Sequence, residues 1–183
     1  MSRVAALAGR RIDAGDAAPA RFPLASVPLV RERLRSLFLE HEISALVCSA
    51  ACGADLTALE VAEQLAIRRH IILPFEVDRF RETSVTDRPG DWGDIYDRMT
   101  KKAREAGTLT LLEKVGTGSR AYAAANMRII EEALTLAGNP PPSRATLAVI
   151  VWDGHSRGGD DATQQFADLA EEHRFEVAEV LTV

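Results

Sequence analysis

At 183 residues the chain has the usual size of one domain, and 46% hydrophobic against 27% charged residues, with 12 Gly and 8 Pro, is ordinary globular composition. That composition excludes a collagen, a disordered tail and a bundle of membrane spans. Lys and Arg total 22 against 27 Asp and Glu, so the net charge of −5 argues against a nonspecific grip on nucleic acid while leaving room for a local site that takes a small anion.

The chain begins with an apolar stretch at residues 4–8, too short for a secretory h-region, and no later stretch approaches the ~20 apolar residues of a membrane span. A cytoplasmic protein without membrane contact is the default expectation. Cys48 and Cys52 are the only cysteines and lack the second pair of Cys or His that a structural zinc needs. They are expected to be buried, reduced thiols, with no metal and no cofactor implied.

Short apolar runs alternate with longer amphipathic segments, the pattern of an α/β protein. Strands are expected at residues 4–8, 43–48, 70–73, 108–112, 145–151 and 175–181, the third and fifth continuous enough to be buried on both faces. Between the first two, Val27, Val30, Leu34, Leu37 and Phe38 recur at helical spacing, with Ser26 as N-cap and Pro28 in the first turn. Residues 55–66 and a segment from Trp92 capped by Asp91 form the next amphipathic helices. Residues 74–85 read as an irregular connection carrying Phe75 and Phe80. A helix over 119–137 uses Tyr122, Ile129, Ile130, Ala133 and Leu134 and is stopped by Gly138-Asn139-Pro140-Pro141-Pro142; a last one covers 163–173, with Asp160 and Asp161 at its N-terminus. Right-handed crossovers then give a Rossmann-like doubly wound, mostly parallel sheet with helices on both faces, in a single domain over 1–183.

In such sheets ligands bind beyond the carboxyl ends of the strands, so chemistry is sought in the loops after each apolar run. After the second run, Ser49, Gly53 and Ala54 are small enough to bring backbone N–H groups to a phosphate at a helix N-terminus; a plain tight turn needing Gly53 is the competing reading. Asp55 is either a helix cap or a chemical carboxylate. Arg10 and Arg11, after the first run, offer a cation for phosphate, and Asp13 an acceptor for ribose hydroxyls. Phe75 and Trp152 are candidates to flank a nucleobase, and Asp153-Gly154 continues the last loop.

In this order, Gly9-Arg10-Arg11-Ile12-Asp13, Cys48-Ser49-Ala50-Ala51-Cys52-Gly53-Ala54-Asp55-Leu56, Leu73-Pro74-Phe75 with Phe80 and Ser84-Val85, and Val151-Trp152-Asp153-Gly154 resemble the SLOG superfamily. That is a Rossmann-like set of nucleotide-ligand sensors and enzymes related to the Lonely-Guy phosphoribohydrolases and the DNA-processing protein A family. The resemblance spans residues 4–163 and implies binding of a nucleotide-like small molecule by Gly9, Arg10, Ser49, Gly53, Ala54, Asp153 and Gly154. The chain departs from the enzymatic branch: Gly158-Gly159-Asp160-Asp161-Ala162-Thr163-Gln164-Gln165 lacks the Pro-Gly-Gly-x-Gly-Thr loop and its following Glu.

A sensor-type nucleotide-binding domain, non-catalytic or weakly catalytic, is therefore the favoured reading. The alternative is an N-glycosidic-bond enzyme, either a phosphoribohydrolase or a deoxyribosyltransferase, with Asp13, Asp55 or Asp153 as the working carboxylate. A third reading is an interaction module: the amphipathic helices offer enough apolar surface for a homodimer, but one sequence does not separate a dimer seam from a sheet-facing stripe.

Overall fold

The computed structural model describes residues 2–113, 116–138, 141–142 and 144–183. Six strands, β1 (Arg3–Gly9), β2 (Ile43–Cys48), β3 (Arg68–Leu73), β4 (Leu109–Leu111), β5 (Thr146–Trp152) and β6 (Glu176–Leu181), form one sheet in the order β4-β3-β2-β1-β5-β6. Every pairing is parallel. The apolar β5 is buried along its whole length, as a strand covered on both faces requires.

The connecting helices are α1 (Val27–Glu40), α2 (Ala54–Gln64), α3 (Val77–Ser84), α4 (Trp92–Glu105), α5 (Ser119–Ala137) and α6 (Ala162–Glu172). Alternation along the strands divides the core in two. Ala5 and Leu7 of β1 face the cluster built from α1 to α4, whereas Val4 and Ala6 face Ile129, Ile130, Phe166 and Ala170 of α5 and α6. The Rossmann-like, doubly wound α/β architecture expected from the alternating pattern is the observed one. Cys48 and Cys52 are free and buried. Among the described residues, no helix is long and apolar enough to cross a membrane.

Three local expectations differ. Residues 77–84 are a helix, not an irregular connection, because Phe80 and Ser84, four apart, sink into the core, with Val77 packed at its edge, while the rest of α3 is polar. Two anchors are too few to register as a stripe. Ser26 and Asp91 make no side-chain cap bond; Ser26 is itself in helical backbone at the end of a 3-10 turn over Leu24–Ser26. Asn139 and Pro140 of the expected helix stop lie outside the described residues, and α5 ends at Gly138, with φ of 107°.

From β1 the chain moves outward through β2 and β3 to β4, and α5 then returns it to the other side of β1. The strand order reverses between β1 and β5, and the connections leaving their carboxyl ends run to opposite sides, which opens a crevice.

Candidate functional site

A cleft of about 680 Å³ occupies that crevice. Its wall is assembled from the end of β1 and its loop (Gly9, Arg10, Asp13), the loop into α2 (Ser49, Ala51, Asp55), the inner face of α5 (Tyr122, Asn126, Ile129) and the start of α6 (Asp161, Thr163). Segments more than 150 residues apart thus meet at one place because three parallel strands end side by side.

The first loop is held by Arg10, which is 2% exposed. Its Nη1 donates to Asp161 Oδ1 at 2.6 Å and its Nη2 to Asp161 Oδ2 at 2.9 Å and to the His155 carbonyl at 2.6 Å. Nε donates to Asp153 Oδ1 at 3.3 Å, and the guanidinium lies 5.9 Å from the centre of the Trp152 ring. Arg10 is therefore a fully engaged cation tying β1 to the chain after β5. Asp153 also receives Arg21 Nη1 at 2.8 Å, so it balances two arginines and does not line the cleft. Trp152 is buried in the α5–α6 core, donates from Nε1 to Glu179 at 3.0 Å, and does not line the cleft. Gly154, with φ of 81°, turns the chain outside the cleft.

The second loop faces inward for its own reasons. The Ala54 N–H donates to the Arg10 carbonyl at 3.1 Å, the Cys52 N–H to the Ser84 carbonyl at 3.0 Å, and the Leu56 N–H to the Ala51 carbonyl at 3.2 Å. Gly53, with φ of 101°, bridges Arg11, and a Cβ there would stand 2.8 Å from both the Arg10 carbonyl and the Ile12 nitrogen. Of the three residues expected to form a phosphate cradle, Gly53 and Ala54 accommodate the neighbouring loop and Ser49 reaches the cleft. The Ser49 hydroxyl is buried and has no hydrogen-bond partner among the described residues. Gly9 does line the cleft, but it too answers to packing, since its Cβ would come within 2.5 Å of the Ala54 Cβ and of the Val151 carbonyl.

Asp55 lines the cleft from the first turn of α2 and is 7% exposed. Oδ2 accepts the Ala51 N–H at 3.0 Å. Burial pushes its carboxyl up to about 7, against the smaller opposing effect of that hydrogen bond. Asp13 Oδ2 accepts the N–H groups of Arg21 and Phe22 at 2.9 and 3.0 Å, pinning the residue 13–22 loop over the cleft, where Ala14, Ala17 and Ala18 contribute apolar wall.

Phe75 lies behind the wall, 5.8 Å from the Phe80 ring and 6.1 Å from Tyr122, with Arg79 over its face at 4.6 Å. Phe75, expected to flank a nucleobase, does not line the cleft; among the described residues Phe80 and Tyr122 are the aromatic residues that do. The sequence reading missed Ser84, Tyr122, Asn126 and Arg157. The Tyr122 and Ser84 hydroxyls share a hydrogen bond of 2.9 Å, and Asn126 Nδ2 donates to the Ala162 carbonyl at 2.8 Å. The one signal available was a polar Asn in an otherwise apolar stripe of α5. Arg157 is exposed at the mouth, and among the described residues its guanidinium makes no hydrogen bond or ion pair. Arg11 and Arg88 also line the cleft, both paired with Asp87. Among the described residues no cluster of three His, Cys, Asp or Glu could hold a metal.

No family model matches the chain, and no curated protein matches it. Among solved structures it is similar to DNA processing protein A (DprA) from Streptococcus pneumoniae, at 15% sequence identity and a TM-score of 0.42. The match covers 98% of this chain and 59% of that one, so the chain spans less than two thirds of that protein's length. The site described above rests on its own geometry.

Proposed function

We propose that this cleft binds a nucleotide or nucleotide derivative and that the chain is a sensor-type binding domain. The observation that carries the reading is the convergence of three strand-end loops and α5 on one crevice where the strand order reverses, the place where open parallel sheets take ligands. Its volume of about 680 Å³ falls within the range of small-molecule sites. Its chemistry suits a sugar joined to a heterocycle. Ser49, Ser84, Tyr122, Asn126 and Asp55 offer hydrogen-bonding groups on one side; Ala14, Ala17, Ala18 and Ile129 offer apolar contact on another. The order of SLOG-like motifs along the chain supports the same reading.

Thermal unfolding with adenosine, AMP, ADP-ribose, cyclic nucleotides and dinucleotides tests it, because a ligand that binds only the folded state raises the melting temperature. At least one is expected to do so, with the effect reduced in Ser49→Ala. No response to any of them overturns the reading.

A second reading, an N-glycosidic-bond enzyme, is favoured by one residue. Asp55 combines burial at the cleft wall with a carboxyl poised near neutrality, the property a general acid needs to protonate a departing base. Of the other two carboxylates, Asp153 is committed to arginines and one oxygen of Asp13 to backbone amides. Release of free base from AMP or deoxynucleosides, lost in Asp55→Asn, would establish the enzyme; its absence beside measured ligand binding leaves the sensor.

A further inference from the structure

Asp161 is the N-cap of α6, and its carboxylate stands inside a ring of donors. Oδ1 accepts the backbone N–H of Thr163 at 3.0 Å and of Gln164 at 3.4 Å, together with Arg10 Nη1 at 2.6 Å. Oδ2 accepts the backbone N–H of Arg157 at 2.7 Å, Arg10 Nη2 at 2.9 Å and the Ser156 hydroxyl at 3.4 Å. Helix N-terminal amides, a two-pronged guanidinium and a hydroxyl are the donors that a bound phosphate ordinarily collects. Here the anion belongs to the chain. Burial by itself would raise the Asp161 pKa, but the Arg10 and Arg157 hydrogen bonds outweigh it and hold the carboxyl far below its ordinary value. It is therefore charged wherever the folded protein is handled near neutrality. The side chain is 2% exposed, and Asp161 and its neighbour Asp160 both line the cleft. A phosphate directed at the Asp161 carboxylate would meet donors already taken and a like charge, while the exposed Arg157 guanidinium stands apart at the mouth.

We infer that Asp161 is a resident anion that sets specificity: it closes the α6 end of the cleft to phosphate, so that a ligand enters there with an uncharged, hydrogen-bonding group, as a nucleoside does. The ligand's class rests on the nucleotide-derivative reading above; the closure rests on the hydrogen bonds of Asp161 alone.

The test measures adenosine and AMP binding by calorimetry to the wild-type chain, Asp161→Asn and Asp161→Gly, and thermal unfolding in inorganic phosphate against chloride at equal ionic strength. The wild-type chain is expected to bind AMP no more tightly than adenosine and to ignore phosphate. Asp161→Asn keeps an acceptor at the cap but removes the charge, and should raise AMP affinity relative to adenosine about tenfold. Asp161→Gly empties the ring while leaving its backbone donors and Arg10, and should gain a saturable rise in melting temperature with phosphate. A wild-type preference for AMP that persists unchanged in Asp161→Asn overturns the inference, as does a folded Asp161→Gly that is blind to phosphate. Where Asp161→Gly does not fold, the Asn variant decides. If neither adenosine nor AMP binds the wild-type chain, the nucleotide reading fails for these ligands, and the phosphate response of Asp161→Gly alone decides whether Asp161 occupies an anion site.

Discussion

Arg10 and Asp161, 151 residues apart, meet in a two-pronged contact in which Nη1 donates to Oδ1 at 2.6 Å and Nη2 to Oδ2 at 2.9 Å, both side chains buried. With Asp153 on the Nε side, the contact joins the loop after β1 to the start of α6 across the reversal of strand order. Arg10 and Asp161 both line the cleft, so the contact forms part of its wall.

Removing the cation should be costly. Arg10→Met leaves Asp161 without the charge that compensates its burial and Asp153 with Arg21 alone, and breaking such a pair from one side costs about 3–5 kcal/mol. The urea midpoint is expected to fall accordingly. Arg10→Lys should recover only part of the loss, since an ammonium cannot form two parallel bonds to one carboxylate. A midpoint unchanged in Arg10→Met would show that the contact does not hold the loop.

Gly53→Ala should destabilise the fold as a whole. The added Cβ would press on the Arg10 carbonyl and the Ile12 nitrogen, each 2.8 Å away, from a residue with φ of 101°. Strain of this type costs roughly 1–3 kcal/mol, with steric displacement of the first loop in addition. Chemical denaturation reads the effect. A variant of wild-type stability that has lost only ligand binding would restore Gly53 to the role of a phosphate cradle.

The pH dependence of stability should carry the mark of Asp55. Its pKa is about 7 in the folded chain against an ordinary value of 3.8, so between those values the folded state holds a proton that the unfolded state has released. The contribution is fully present below pH 3.8 and is lost as pH rises through about 7. At about 1.4 kcal/mol per pH unit, the whole effect is on the order of 4 kcal/mol. Asp55→Asn retains an acceptor for the Ala51 N–H and cannot titrate. Wild-type stability should therefore fall relative to the variant from pH 4.5 to 7 and run parallel above it, measured by urea denaturation at each pH. Parallel curves across the whole range would contradict a buried, protonated Asp55.

Trp152→Phe should separate packing from binding. The substitution removes the hydrogen bond to Glu179 and part of the surface beneath Arg10, and stability should drop by about 1–3 kcal/mol. The melting-temperature increment produced by a cleft ligand should survive, because the ring is enclosed by the α5–α6 core. Loss of that increment in a folded variant would place Trp152 against the ligand after all.

The α/β class was legible because burial on both faces leaves its mark locally: residues 147–152 are apolar without interruption, and the stripe of Ile129, Ile130 and Ala133 repeats at helical spacing. Asp161 as a helix cap was legible for the same reason, since a cap bonds to amides two and three residues ahead. The identity of its other partner was not. Arg10 could be read as a cation for phosphate, Trp152 as a stacking platform and Gly53 as a phosphate-loop glycine, each reasonable from its neighbours in sequence. The order of the strands gave each of them neighbours from distant segments. By setting β5 beside β1 it brought Asp153 and Asp161 onto Arg10, and by returning α5 across the sheet it put Tyr122 and Asn126 into the cleft. Local sequence determined which segments are strands and helices, because periodicity and capping act within a few residues. Only the tertiary structure decided which charges cancel one another and which polar groups stay available, because those depend on contacts between segments that sequence spacing does not encode.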